Sequence, residues 1–133
     1  MTLAISNEKT TGDLQQSFSL KYPFLRLDFY RLVKTDPTMP VKKHLPPATL
    51  LRASGLINPG ILEITDEMTV GELEKAFLKN FGLDVQVSRK CGMLWIETTM
   101  TNKWSLFKQN EHGREISLTS LDIPPYRPDS EAI

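Results

Sequence analysis

One cysteine and two histidines are the side chains in this 133-residue sequence best suited to nucleophilic or metal chemistry. Cys91 follows Arg89 and Lys90, two cations placed where they would favour a thiolate. A catalytic thiol also needs a base within hydrogen-bond reach. His44 stands in a proline-rich run and His112 just before Gly113, and neither has the sequence surroundings of a Cys-His enzyme. Cys91 therefore reads as a small residue tolerated in a turn, no catalytic residue is assigned, and any role for Cys91, His44 or His112 stays open. No H-x-x-x-H or H-E-x-x-H spacing is present, so no metal site is expected. Neither a G-x-G-x-x-G run, a phosphate loop with its lysine, nor a G-x-S-x-G elbow occurs, and no cofactor is expected. The adjacent Asp66 and Glu67 read as favourable charge ahead of a helix N-terminus rather than as an acid–base couple.

The stronger constellation is one for binding. Arg26, Asp28 and Tyr30 alternate with Leu25, Leu27 and Phe29, while Gln86 and Ser88 alternate with Val85 and Val87. In the run 93–100, the Leu94, Ile96, Thr98, Met100 set is more apolar than the Met93, Trp95, Glu97, Thr99 set and should face the core. Trp95 and Glu97 then lie beside Gln86, and Arg26, Asp28 and Tyr30 can share their face. Tryptophan, tyrosine and arginine are the types enriched at binding hot spots. If Phe24 joins Tyr30 and Trp95, the patch exceeds what a monomer usually leaves in water, so a partner or the chain's own C-terminal arm should cover it.

Residues 69–101 contain the elements that must position this surface. Thr69 and Glu72 have capping-box spacing, Leu73, Phe77, Leu78 and Phe81 form a helical stripe, and Gly82 can end the helix. Two alternating runs across the turn 90–92 predict a hairpin. Residues 10–31 lie against this segment at a spacing of 59, with one extra residue after Pro23. Thr10, Gly12, Leu14 and Phe18 fall on Thr69, Gly71, Leu73 and Phe77, which suggests an internal helix–strand repeat. Residues 1–9 read as a frayed lead-in, 35–49, with four prolines, as a long loop, and 122–133 as a flexible tail. A turn of helix is expected at 50–53, a strand around Ile61 to Ile64, a short helix over 106–112 ended by Gly113, and a possible strand at 116–118. The expectation is a single α+β domain over 1–133, its mostly antiparallel sheet carrying two helices on one face.

With 40% hydrophobic and 24% charged residues and 16 charges of each sign, the composition fits a globular domain with no net field, which argues against a nucleic-acid partner. No basic, apolar leader opens the sequence and no segment could span a bilayer, so a cytoplasmic protein without a membrane partner is expected. The runs VGELEKAF, FGLDVQV and SRKCGMLWIETT, the Trp104-Ser105-Leu106 step and Gln109-Asn110 resemble a family of small uncharacterised bacterial proteins. The turn position of that family takes serine or cysteine, so the resemblance does not mark Cys91 as a nucleophile; it implies a fold and no activity. The functional expectation is a protein-binding or self-associating module that uses the second sheet face. The alternatives are a small enzyme or ligand-binding protein with its site near the hairpin, and a nucleic-acid binder using Arg26, Arg31, Lys34, Lys42, Lys43, Arg89 and Lys90.

Overall fold

The computed structural model describes residues 1–36 and 39–122. Strand, helix, strand, strand occurs twice in a row: β1 (Thr2–Ile5), α1 (Thr11–Lys21), β2 (Leu25–Asp36) and β3 (Met39–His44), then β4 (Gly60–Glu63), α2 (Val70–Phe81), β5 (Asp84–Cys91) and β6 (Leu94–Glu97). A last helix, α3, covers Leu106–Asp122. β1 and β4 form a two-stranded antiparallel sheet, and the other strands form an antiparallel sheet in the order β3-β2-β5-β6. The chain is thus a single α+β domain.

Both main helices begin in the same way. Thr69 Oγ1 accepts from the Glu72 amide at 3.1 Å and the Glu72 carboxylate accepts from the Thr69 amide, and Thr10 and Asp13 repeat the box on α1. Each box satisfies two amides that a helix start leaves without partners. Gly82 closes α2 in the left-handed conformation, at φ 71°. Leu14 and Phe18 of α1 and Leu73 and Phe77 of α2 are fully buried against Leu25, Leu27, Phe29, Val85 and Val87, the alternate residues of β2 and β5. Phe77 meets Phe29 edge to face at 5.9 Å.

The lead-in, the proline-rich loop and the C-terminal segment differ from expectation. The lead-in is not frayed over its whole length: β1 pairs Leu3 with Leu62, and Leu3 and Ile5 enter the core. Two apolar residues are too few to announce a strand whose partner lies far along the chain. The supposed loop 35–49 is largely a hairpin, because β2 runs on to Asp36 and β3 returns beside it with Tyr30 opposite His44. Pro40 is tolerated there because β3 is an edge strand with one side free of the ladder. Among the described residues of this segment the stretch after His44 is loop, and its carbonyls cap α1: Pro46 accepts from Thr11 Oγ1 and Pro47 from the Gly12 amide.

Gly113 does not end a short helix. α3 continues through it to Asp122, so 116–118 is helical rather than a strand. The glycine serves close approach, since a Cβ there would lie 3.0 Å from both Arg89 Cγ and Phe24 Cβ. Leu106, Gln109, Gly113 and Ser117 make the buried face of α3, and such a mixture of polar and small residues gives no apolar stripe to read. Asp122 ends that helix, and the rest of the expected tail, 123–133, lies outside the described residues.

Candidate functional site

Register decides which side chains share a face. β2 sets Arg26, Asp28 and Tyr30 opposite Ser88, Gln86 and Asp84, and β6 sets Trp95 and Glu97 opposite Lys90 and Ser88. Facing residues of an antiparallel pair project to the same side. Arg26, Asp28, Tyr30, Gln86, Trp95 and Glu97 therefore lie together on the sheet face opposite the helices, as their spacing predicts. The Arg26 guanidinium stands 5.0 Å from the centre of the Trp95 ring and its Nε pairs with Asp28 Oδ2 at 2.8 Å. Lys42, from β3, places Nζ 4.7 Å from the centre of the Tyr30 ring and donates to Gln86 Oε1 at 3.1 Å. Beneath these long side chains Gln86 and Ser88 keep only 6% and 3% exposure.

The apolar patch expected from Phe24, Tyr30 and Trp95 does not form. Phe24 packs against Gly113 of α3, and each of the two rings carries a cation from another strand, Arg26 of β2 over Trp95 across β5 and Lys42 of β3 over Tyr30. The Leu94, Ile96, Thr98, Met100 set is not a core set either. Thr98 is buried, with Oγ1 donating to Val87 C=O at 2.7 Å, but Leu94 is 69% and Met100 96% exposed. β6 is the sheet edge and ends at Glu97, and Met100 lies in the 3-10 turn that follows.

The early end of β6 leaves part of β5 uncovered. The Val87 amide, with no β6 residue beside it, donates to Glu74 Oε2 at 3.2 Å, and Val87 C=O accepts from the Thr98 amide. Next to this cap is a cavity of about 210 Å³, lined by Glu74 and Lys75 of α2, residues 84–86 of β5, Tyr30 and Asn102. Burial holds the Glu74 carboxyl above its ordinary range, against the Val87 hydrogen bond and Lys42, which act the other way. Tyr30 is likewise pushed up, by burial first and then by the Asp84, Glu74 and Glu97 charges. Tyr30 and Gln86 were legible as site residues, and Lys42 only as one cation of the nucleic-acid alternative; Glu74 and Asn102 were not. Glu74 stands on the flank of the apolar stripe between Leu73 and Phe77, which is the one signal that could have found it.

Cys91 closes β5 opposite Leu94 and is partly exposed, rather than sitting within the turn itself. His44 is exposed at the end of β3, and His112 meets Trp104 edge-on at 5.3 Å. Two cations also approach the Trp104 ring, Lys108 Nζ at 4.4 Å and the Arg89 guanidinium at 5.5 Å from its centre. Arg89 Nη1 donates to Gln109 Oε1 at 2.8 Å, so this cluster fastens α3 to β5. Among the described residues, no three His, Cys, Asp or Glu side chains are placed to hold a metal ion, and no helix is long and apolar enough to cross a membrane. Compared with protein-family models, with curated proteins and with solved structures, the chain matches none.

Proposed function

We propose that the chain is a cytoplasmic binding module whose partner is another protein or a second copy of itself, engaged through the open sheet face. The observation that carries this reading is the pair of rings, Trp95 and Tyr30, each under a cation on the sheet face opposite the side where α1 and α2 pack their apolar stripes. Such a surface offers flat aromatic area and orientable charge, the combination found at binding hot spots. The enzyme reading would need Cys91 or a histidine to meet a carboxylate in a cavity, and neither residue type lines the one beside β5. The nucleic-acid reading would need its cations on one patch. Arg26, Lys42 and Lys90 share the open face, whereas Arg89 projects towards α3, and Arg31 and Lys43 lie on the helix side of their hairpin.

We also infer that the two halves form an internal repeat. Leu3 pairs with Leu62, its counterpart at a spacing of 59, and Asp28 pairs with Gln86, its counterpart once the extra residue after Pro23 is allowed for. A residue facing its own counterpart in an antiparallel pair lies on a two-fold axis.

Light scattering tests the association. A dimer is expected, and Trp95→Ala should weaken it by at least about 1–2 kcal/mol. A full-length monomer would overturn self-association, and if its Trp95 fluorescence, isolated by Trp104→Phe, also did not respond to truncation after Leu121, cover by the chain's own C-terminal arm would be overturned with it.

A further inference from the structure

We propose that the cavity beside Val85 receives one lysine or arginine residue of an extended peptide, a proposal that rests on the chain being a protein-binding module. In an antiparallel strand both main-chain groups of a residue point to the same side and successive residues alternate. Val87 directs its amide and carbonyl away from β2, to Glu74 and Thr98. Val85, two residues earlier, directs its own the same way, but β6 pairing stops at Ser88 opposite Glu97. One donor and one acceptor therefore face the cavity, as an added strand requires. The free edge is one residue long, since Val87 is capped on one side and the Leu83 amide is held by Phe77 C=O on the other.

Size and charge then choose the side chain. At about 210 Å³ the space is smaller than the roughly 300–1,000 Å³ of drug-sized sites and suits a single residue. Its walls carry the Glu74 and Asp84 carboxylates and the Lys75 ammonium, and the Lys42 ammonium, which acts on Glu74 from outside the lining, is already engaged by Gln86 Oε1 and the Tyr30 ring. Glu74 Oε2 is engaged by Val87, and Oε1 has no hydrogen-bond partner among the described residues. A partly buried carboxylate with a free oxygen favours a cation that arrives with its own N–H donors. An acidic side chain would meet two like charges.

The test uses the full, ¹⁵N-labelled chain and three capped tripeptides: acetyl-Ala-Lys-Ala-amide, its glutamate analogue, and a version N-methylated at the lysine. The lysine peptide should shift the amide signals of Lys75, Val85, Gln86 and Asn102 saturably. The glutamate and N-methyl peptides should bind at least about tenfold more weakly, the first through repulsion and the second through the lost strand hydrogen bond. Glu74→Gln and, separately, Asp84→Asn should reduce the preference for lysine, and the same spectra report whether each variant is folded. The proposal is overturned if those amides do not respond, if lysine and glutamate peptides shift them equally, or if both variants keep the preference. Shifts confined to Arg26, Trp95 and their neighbours would also overturn it, while leaving the open-face reading in place. That reading is judged separately, by the mass of Trp95→Ala.

Discussion

The two strand–helix–strand–strand halves have the same order of elements and differ in what one helical side chain does. Gln15 and Glu74 each stand five residues beyond their helix cap, Thr10 or Thr69. Gln15 donates to Asp28 Oδ1 at 3.3 Å, an amide meeting a carboxylate on the neighbouring strand. Glu74 instead caps a main-chain amide of β5 and borders the cavity. Around them the scaffold hardly changes. Phe29 C=O accepts from Leu45 as Val87 C=O accepts from Thr98, and the Gly12 amide reaches Pro47 C=O as the Gly71 amide reaches Asn102 C=O. The difference teaches that caps, core and loop ends build the frame, while the identity of one flanking residue separates a satisfied surface from a candidate site.

The largest test of this parity is in the core. Phe18→Ala and Phe77→Ala should each cost about 3–5 kcal/mol in denaturant unfolding, because both rings are fully buried. A cost much smaller in one half would break the comparison.

A second pair should separate the halves. A Cβ on Gly12 would come within 2.8 Å of Pro47 O, so Gly12→Ala should destabilise by about 1–3 kcal/mol. At Gly71 the closest atom, Asn102 O, is 3.4 Å away. Gly71→Ala should therefore be neutral or stabilise by up to about 1 kcal/mol, through helix propensity alone. Equal effects would mean that the loop on α1 yields as easily as the one on α2.

The caps should behave alike. Thr10→Ala and Thr69→Ala are each expected to lose about 1 kcal/mol in thermal or denaturant unfolding, since the two boxes make the same pair of hydrogen bonds.

The smallest effect is the pH dependence peculiar to the second half. A carboxyl held above its ordinary 4.5 binds its proton more tightly in the folded chain, so stability falls as pH rises from that value through the raised one. The loss persists at neutral pH. Glu74→Gln, which keeps an oxygen for the Val87 amide, should then be more stable than the parent at neutral pH, by less than about 1 kcal/mol because the group is partly in water. Unfolding curves of the two proteins should converge in acid below 4.5, and a constant gap would place the burial cost elsewhere.

Local signals made much of this readable. The threonine boxes, the stripe through Leu73 and Phe77, and the period of two in β2 and β5 act over a few residues, so α1 and α2, the central strand pair and the shared face of the six residues followed from spacing. Residues whose structure depends on a distant partner did not. Leu3 and Ile5 became a strand through β4, and Val41 to His44 through β2.

The sequence by itself determined an α+β domain with two capped helices over one face of an antiparallel sheet, since apolar periodicity and capping chemistry are properties of neighbours along the chain. Only the tertiary structure decided that Gly113 lies inside a helix, that β6 stops short and frees Val85, and that Arg26 and Lys42 sit on the rings of Trp95 and Tyr30. Each of these is settled by a contact between segments far apart in the chain, where close approach, an unpaired amide or a neighbouring charge outweighs local preference.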